Sequence, residues 1–324
     1  MTHVVRMHQT GGPEVLRWEP APLAAPGRGE VRVRHAAVGM NFIDTYHRTG
    51  LYPVALPAVL GSEAAGVVVD VGEGVTEVAK GDRVAYATGP MGSYSEERNM
   101  PAAHLVKVPP EIDDRTAAAA MLKGMTAQYL VRRTHAVQAG ETILVHAAAG
   151  GVGLILCQWA KHLGATVIGT VGSEEKGELA RAHGCDHVVF YRTEDVAARV
   201  REITNGARVP VVYDSVGKDT FAASLDCLRP RGLLVTFGQS SGAIPPFDPR
   251  VLSQKGSLYL TRPTLGDYVR QRAELDATAR ELFEMIAKGI VDIRIAQTFP
   301  LRDAEAAHRA LESRSTTGST VLLP

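Results

Sequence analysis

Cysteine is scarce: of 324 residues only Cys157, Cys185 and Cys227 are cysteines, and the first 156 residues hold none. Three isolated cysteines supply neither a disulfide framework nor a CxxC metal pattern, which points to a reducing cytoplasm. Excess charge is also missing. Lys+Arg and Asp+Glu both number 35, for a formal net charge of zero. Binders of nucleic acid or of membrane surfaces normally carry a basic surplus or block, so neither partner is expected. The longest basic run, Arg132-Arg133, reads as a solvated helix face. Met1 to Arg6 holds no apolar core, so no secretory leader is expected. The one long apolar stretch, Ile143 to Ala160, is broken by His146, Gly150, Gly151 and Gly153, unlike a membrane span. Repeats and low-complexity segments are absent.

What remains is ordinary globular composition, 45% hydrophobic and 22% charged, which excludes disorder as the main state. The length favours two domains over one core. The first 120 or so residues read as β-rich. Residues 30–38 alternate, with Val31 and Val33 on one side and Arg32 and Arg34 on the other. Two further strand-like runs, VVVDV and DRVAYA, lie within 64–86, separated by turn residues, and suggest an antiparallel barrel. From about residue 125 the rhythm becomes strand–helix alternation. Strands are expected at 142–146, 166–171, 187–190, 209–213, 233–237 and 257–261. Between the first two, Val152, Ile155, Leu156, Trp159 and Leu163 form one helical face, closed by Gly164. The expected fold class is α/β, with a doubly wound, six-stranded parallel sheet. A helix at 267–288, a strand at 293–299, a helix at 302–312 and a strand at 320–323 exceed that sheet and are expected to complete the first domain. The expected domains are 1–124 with 266–324, and 125–265.

The strand at 142–146 runs into His146-Ala147-Ala148-Ala149-Gly150-Gly151-Val152-Gly153 and then a helix. This is an A-x-G-x-x-G form of the dinucleotide fingerprint, at Ala148, Gly150 and Gly153. Gly150 would admit the pyrophosphate, Gly153 would let helix and strand pack closely, and the helix N-terminus would face the phosphates. A plain glycine-rich turn is the alternative, but strand, loop, helix and next strand stand in the required order. The second strand ends Thr170-Val171-Gly172-Ser173, without the carboxylate that bonds ribose hydroxyls in NAD sites. Lys176 follows, and Tyr191 closes the third strand, so a cation and hydroxyls suit a 2′-phosphate and NADPH. Glu174 and Glu175 oppose this reading, although after a Ser173 N-cap they also complement the helix dipole.

A β-rich domain followed by such a fold often carries catalytic zinc. Here no cysteine precedes residue 157, and His3, His8, His35, His47, His104, His135 and His146 show no metal-site spacing. Without a Lewis acid the better substrate is already electron-poor, such as a quinone or an α,β-unsaturated carbonyl.

Nine segments carry a family resemblance across essentially the whole chain: GMNFIDTYHRTGLYP (39–53), GSEAAGVV (61–68), LKGMTAQYL (122–130), HAAAGGVGLI (146–155), TVGSEEK (170–176), VVYDSVG (211–217), LDCLRPRGLLVTFGQSSG (225–242), KGSLYLTRP (255–263) and ESRSTTGS (312–319). Together they resemble the bacterial NADPH:quinone oxidoreductases, relatives of zeta-crystallin in the medium-chain dehydrogenase/reductase superfamily. In the zinc-dependent cousins the positions of Asn41 and Ser62 are a cysteine and a histidine ligand. The resemblance implies no metal, a GroES-like barrel, a Rossmann domain, NADPH in a cleft between them, and a homodimer paired through the strand near 257–261. It implies cofactor contacts from Ala148, Gly150, Gly151, Val152, Gly153, Gly172, Ser215, Phe237 and Gly238, with Ser173, Lys176, Tyr191 and Arg314 on the 2′-phosphate. Asn41, Tyr46, Tyr52 and Thr126 match positions lining the nicotinamide and the quinone. Gln239 departs from the family's asparagine in the FG-x-SSG loop.

The expected chemistry is delivery of a hydride, or of single electrons, to a quinone, with Tyr46 or Tyr52 bonding the developing oxyanion and Asn41 orienting the ring. The plainer alternatives are packed aromatics for the tyrosines and backbone capping for Asn41 and Thr126. Asp44 and Glu63 read as structural carboxylates, and Cys157 as core. Two competing functions are an NADPH-dependent alkenal or enone reductase and a non-catalytic RNA-binding or structural role.

Overall fold

The structure, a computed structural model, describes residues 1–313 and 316–324. Arg314 therefore lies outside the described residues. The chain divides into two compact units, one of residues 1–125, 269–287 and 293–324, the other of 126–268 and 288–292.

The second unit is built on the expected parallel sheet. Its strands are Thr142–Val145, Thr166–Val171, His187–Phe190, Val209–Asp214, Leu228–Thr236 and Tyr259–Thr261. In sequence order they lie 3-2-1-4-5-6, all parallel. The direction of winding therefore reverses between Thr142–Val145 and Val209–Asp214, and in open sheets of this kind ligands generally bind outside the strands' carboxyl ends at such a point. These strands read as apolar, β-branched runs because both sheet faces are covered: every residue of Val209–Asp214 is buried. Helix Gly151–His162 buries more than the one expected face, with Leu154, Cys157 and Ala160 joining Ile155, Leu156 and Trp159 in the core.

The first unit centres on the long strand Glu30–Met40. It pairs antiparallel with Glu63–Val71, with Glu97–Pro101 and with the C-terminal strand Ser319–Leu323. Val31 and Val33 are wholly buried, the apolar side of the alternation seen in sequence. Ser319–Leu323 also pairs with Ile295–Pro300, which places both strands in the same sheet as Glu30–Met40.

One expected element is corrected. The helix anticipated over 267–288 is two, Leu265–Tyr268 and Arg272–Ala287. The break falls where different units hold the two pieces. Tyr268 stacks 4.3 Å from Tyr129 in the second unit, whereas Arg272 donates to the Leu105 carbonyl at 2.9 Å in the first. Among the described residues no helix is long and apolar enough to cross a membrane.

Candidate cofactor and substrate site

The glycine loop leaves strand Thr142–Val145 and passes through Ala147, which adopts φ 53°. Gly150 is the N-cap of helix Gly151–His162, with φ −81° and ψ 172°, extended backbone open to any residue. A Cβ built on Gly153 would stand 2.3 Å from the Ala147 carbonyl oxygen and 2.8 Å from that of Ala148. Backbone forces glycine there. On Gly150 a Cβ would meet only the Ala147 oxygen, at 3.2 Å. The fold itself barely requires glycine at 150, and the space left beside the helix N-terminus is one that an anion could occupy.

At the tip of the second strand, Ser173 caps helix Glu174–Ala182, its Oγ accepting from the Lys176 backbone N–H at 3.4 Å. Glu174 and Glu175 occupy that helix's first turn, where the dipole favours them. Around Gly172 gather groups of the opposite sign. A Cβ on Gly172 would lie 2.6 Å from the Tyr191 hydroxyl and 3.4 Å from Arg192 Nε. Burial and the Arg192 guanidinium lower the Lys176 ammonium below its ordinary value, with Glu175 pulling the other way. A phosphate placed beside Lys176, Arg192 and the Tyr191 hydroxyl would gain charge-assisted hydrogen bonds from them. Arg192 was not read from the sequence; its place beside Tyr191 at a strand end was the available signal.

Across the winding reversal, Ser215 and the Phe237–Gly238 segment come together. Phe237 N–H donates to the Asp214 carbonyl at 2.9 Å, and Ser240 N–H to that of Ser215 at 3.2 Å. A Cβ on Gly238 would press 2.6 Å from the Ser215 oxygen. Arg262 braces this loop by donating to the carbonyls of Thr236 (3.4 Å) and Gly238 (3.3 Å). Thr126 is buried and hydrogen-bonded to Tyr129.

In the first unit, Asn41 precedes helix Phe42–Thr49, and its backbone N–H donates to Asp44 Oδ2 at 2.9 Å, half of a capping box. Its side chain does more than cap. Asn41 Nδ2 donates to Glu63 Oε2 at 2.7 Å. Glu63 is wholly buried and also accepts from the Leu122 N–H (2.7 Å) and from Lys123 Nζ (3.2 Å). This cluster exists because residue 39 is glycine: a Cβ there would stand 2.3 Å from Glu63 Oε2. Neither Gly39 nor Lys123 was singled out from the sequence. Asp44 is buried as well. Burial raises its carboxyl to about 7, against the pull of the Asn41 N–H, Tyr94 and Lys123. Tyr46 and Tyr52 are half-buried, with rings 5.3 Å apart in edge-to-face contact, and the Tyr52 N–H bonds the Tyr46 carbonyl at 3.0 Å.

The residues do not suit zinc. At the two ligand positions of the zinc-dependent cousins stand Asn41, whose amide is turned to donate to Glu63, and Ser62. Among the described residues no three His, Cys, Asp or Glu side chains gather to hold a metal.

The family description "Alcohol dehydrogenase GroES-like domain" matches residues 27–110, and "Zinc-binding dehydrogenase" matches residues 151–284. A quinone oxidoreductase of Pseudomonas aeruginosa is 58% identical over 97% of each chain. A 2-haloacrylate reductase of a Burkholderia species is 51% identical over 98% of each. The crystal structure of Escherichia coli quinone oxidoreductase complexed with NADPH superposes with a TM-score of 0.98 at 50% identity, covering 99% of this chain and 100% of that one.

Proposed function

The chain belongs to the quinone oxidoreductase family of the medium-chain dehydrogenase/reductases, and from that premise we propose that it reduces quinones with NADPH and without zinc. The observation that carries the cofactor is the pairing of Lys176 with Arg192 beside Gly172 and Tyr191. A 2′-phosphate there would accept charge-assisted hydrogen bonds that the bare ribose of NADH cannot. When bound, NADPH supplies a hydride. The protein's own part is to bind, orient and exclude water.

In this reading the N–H groups at the start of helix Gly151–His162, including Gly151, Val152 and Gly153, take the pyrophosphate beside Gly150 and Ala148. Gly172, Ser173, Lys176, Tyr191 and Arg192 take the adenosine 2′-phosphate, and the family pattern adds Arg314. Ser215, Phe237 and Gly238 take the nicotinamide half. Asn41, Tyr46, Tyr52 and Thr126 serve the substrate. A tyrosine hydroxyl donates a hydrogen bond to the quinone oxygen as negative charge grows on it, and the product completes itself with a proton from solvent. Glu63, itself bonded by Lys123, accepts from Asn41 Nδ2 and so fixes the amide's orientation before substrate arrives.

A homodimer fits the sheet edge: Tyr259–Thr261 is the last strand of the six, and Tyr259 is 62% exposed. Light scattering of the purified protein checks the stoichiometry. The cytoplasm suits three free cysteines and a cofactor maintained in reduced form.

The test is NADPH consumption with benzoquinone or a naphthoquinone, run beside an alkenal and 2-haloacrylate at equal concentration. Faster turnover of the quinones is expected. Turnover confined to the alkenes would replace the proposal with an enone reductase, and NADPH-independent RNA retention with no turnover would replace it with a binding role.

A further inference from the structure

Four buried side chains form a hydrogen-bonded line across the carboxyl ends of the second unit's strands. Asp214 ends Val209–Asp214 and is wholly buried. Its Oδ1 accepts the N–H groups of Val216 (2.7 Å) and Gly217 (3.1 Å). Its Oδ2 accepts the hydroxyls of Thr220 (2.7 Å) and Ser224 (3.0 Å). A serine has one hydroxyl hydrogen, and Ser224 gives it to the carboxylate. Its 3.1 Å contact with His146 Nε2 therefore needs the imidazole to donate, which places the ring proton on Nε2. Nδ1 is left as an acceptor, and Thr170 Oγ1 donates to it at 2.9 Å. Valence thus fixes every proton in the sequence Thr170 to His146 to Ser224 to Asp214. His146 stays neutral, since burial lowers its pKa and outweighs the opposing pull of Asp214.

The line has a functional direction. Thr170 lies one residue before the end of strand Thr166–Val171, which leads straight to Gly172 and Ser173. Its carbonyl also accepts the Ala148 N–H of the glycine loop at 3.1 Å. Asp214 leads to Ser215, and its carbonyl anchors Phe237. The two halves of a dinucleotide lie on either side of the point where winding reverses. His146, directly after strand Thr142–Val145, stands at that divide with one ring nitrogen committed to each side.

We propose that His146 is a positioning residue that keeps the adenosine-side and nicotinamide-side loops in one register, so that contact with the 2′-phosphate is felt as placement of the nicotinamide. This rests on the NADPH reading above. It deepens that reading by stating how the remote phosphate contributes to the rate rather than to affinity alone.

The test is a double-mutant cycle on the full-length protein, comparing wild type, Lys176→Ala, His146→Leu and the double variant. Two readouts need no acceptor: NADPH affinity by calorimetry and the fluorescence of the bound reduced nicotinamide. The third is kcat with benzoquinone at saturating NADPH. Alone, Lys176→Ala should weaken binding about tenfold, shift the bound fluorescence and lower kcat. In the His146→Leu background it should still weaken binding but no longer move fluorescence or kcat. His146→Gln, which keeps a donor and an acceptor, should restore the wild-type response. Should His146→Leu not fold, Thr170→Val and Ser224→Ala cut the line on either side and should give the same uncoupling. If Lys176→Ala changes fluorescence and kcat by equal factors in both backgrounds, or in neither, His146 is a structural residue only. Failure of wild type to bind NADPH would instead overturn the cofactor reading.

Discussion

Replacing Gly150 with alanine adds one methyl group that the protein has room for and a bound pyrophosphate does not. At φ −81° and ψ 172° an alanine is unstrained, and the nearest atom to the new Cβ, the Ala147 oxygen, is 3.2 Å away. That tight contact is offset by the smaller entropy of the unfolded chain, about 0.4–1 kcal/mol, so Tm should move by no more than about 2 °C. Gly153→Ala is the control. Its Cβ would stand 2.3, 2.8 and 2.9 Å from three backbone atoms of Ala147 and Ala148. None of these can turn aside as a side chain would. Overpacking of this kind costs roughly 1–3 kcal/mol or more, which lowers Tm by about 2–10 °C. For the cofactor, Gly150→Ala should remove one charge-assisted N–H to phosphate bond or more, each about 1.5–3 kcal/mol, and so weaken NADPH binding by roughly tenfold to a hundredfold. Scanning calorimetry gives the first quantity and titration calorimetry the second. A Gly150→Ala protein as destabilised as Gly153→Ala, or one that binds NADPH with wild-type affinity, would refute the reasoning.

Arg192→Ala and Lys176→Ala should each raise the NADPH Kd about tenfold, leave NADH within about threefold, and make NADPH binding less sensitive to salt; equal losses for both cofactors would remove the phosphate assignment. Lys123→Met strands the buried Glu63 carboxylate and should cost about 3–5 kcal/mol in denaturant unfolding, most of it recovered by adding Glu63→Gln. The pH dependence of stability has a definite sign. Burial depresses His35 to about 4 and His308 to about 3 from 6.5, so the stability they provide is whole above pH 6.5 and is lost as pH falls toward those values. Asp44, raised from 3.8 to about 7, works oppositely, its stability being whole below pH 3.8 and lost as pH rises through 7. Between pH 4 and 6.5 these three groups together make unfolding take up a net one proton, which lowers stability by about 1.4 kcal/mol per pH unit on acidification, and the lowered His47, His104 and His146 act in the same direction. A flat profile from denaturant titrations would contradict the assignment.

The parts of the site legible in sequence were those written locally. The glycine loop declared itself through strand, spacing and helix within about a dozen residues, and Ser173 through its place before Glu174 and Glu175; the structure gives both the expected local forms. Short apolar, β-branched runs likewise marked the six parallel strands. What stayed hidden depends on approaches that only the tertiary fold creates. Arg192 gains meaning from Lys176 on a different element. His146 read as an ordinary histidine because Thr170, Ser224 and Asp214 are distant along the chain. Lys123 carried no signal in the sequence because Glu63, which it bonds, lies far along the chain. The continuous helix expected over 267–288 failed for a related reason: its periodicity could not show that Tyr268 and Arg272 are held in different units. Asn41 was read as either a substrate contact or a cap, and its backbone caps while its side chain faces Glu63.

The central claim is reduction of a quinone by NADPH with no metal involved. Its most direct test is the initial rate of NADPH oxidation by benzoquinone, measured on protein dialysed against a strong chelator and again after adding zinc. Equal rates are expected in both, with a much lower rate when NADH replaces NADPH at the same concentration. A rate abolished by the chelator and restored by zinc, or no preference for NADPH, would contradict it.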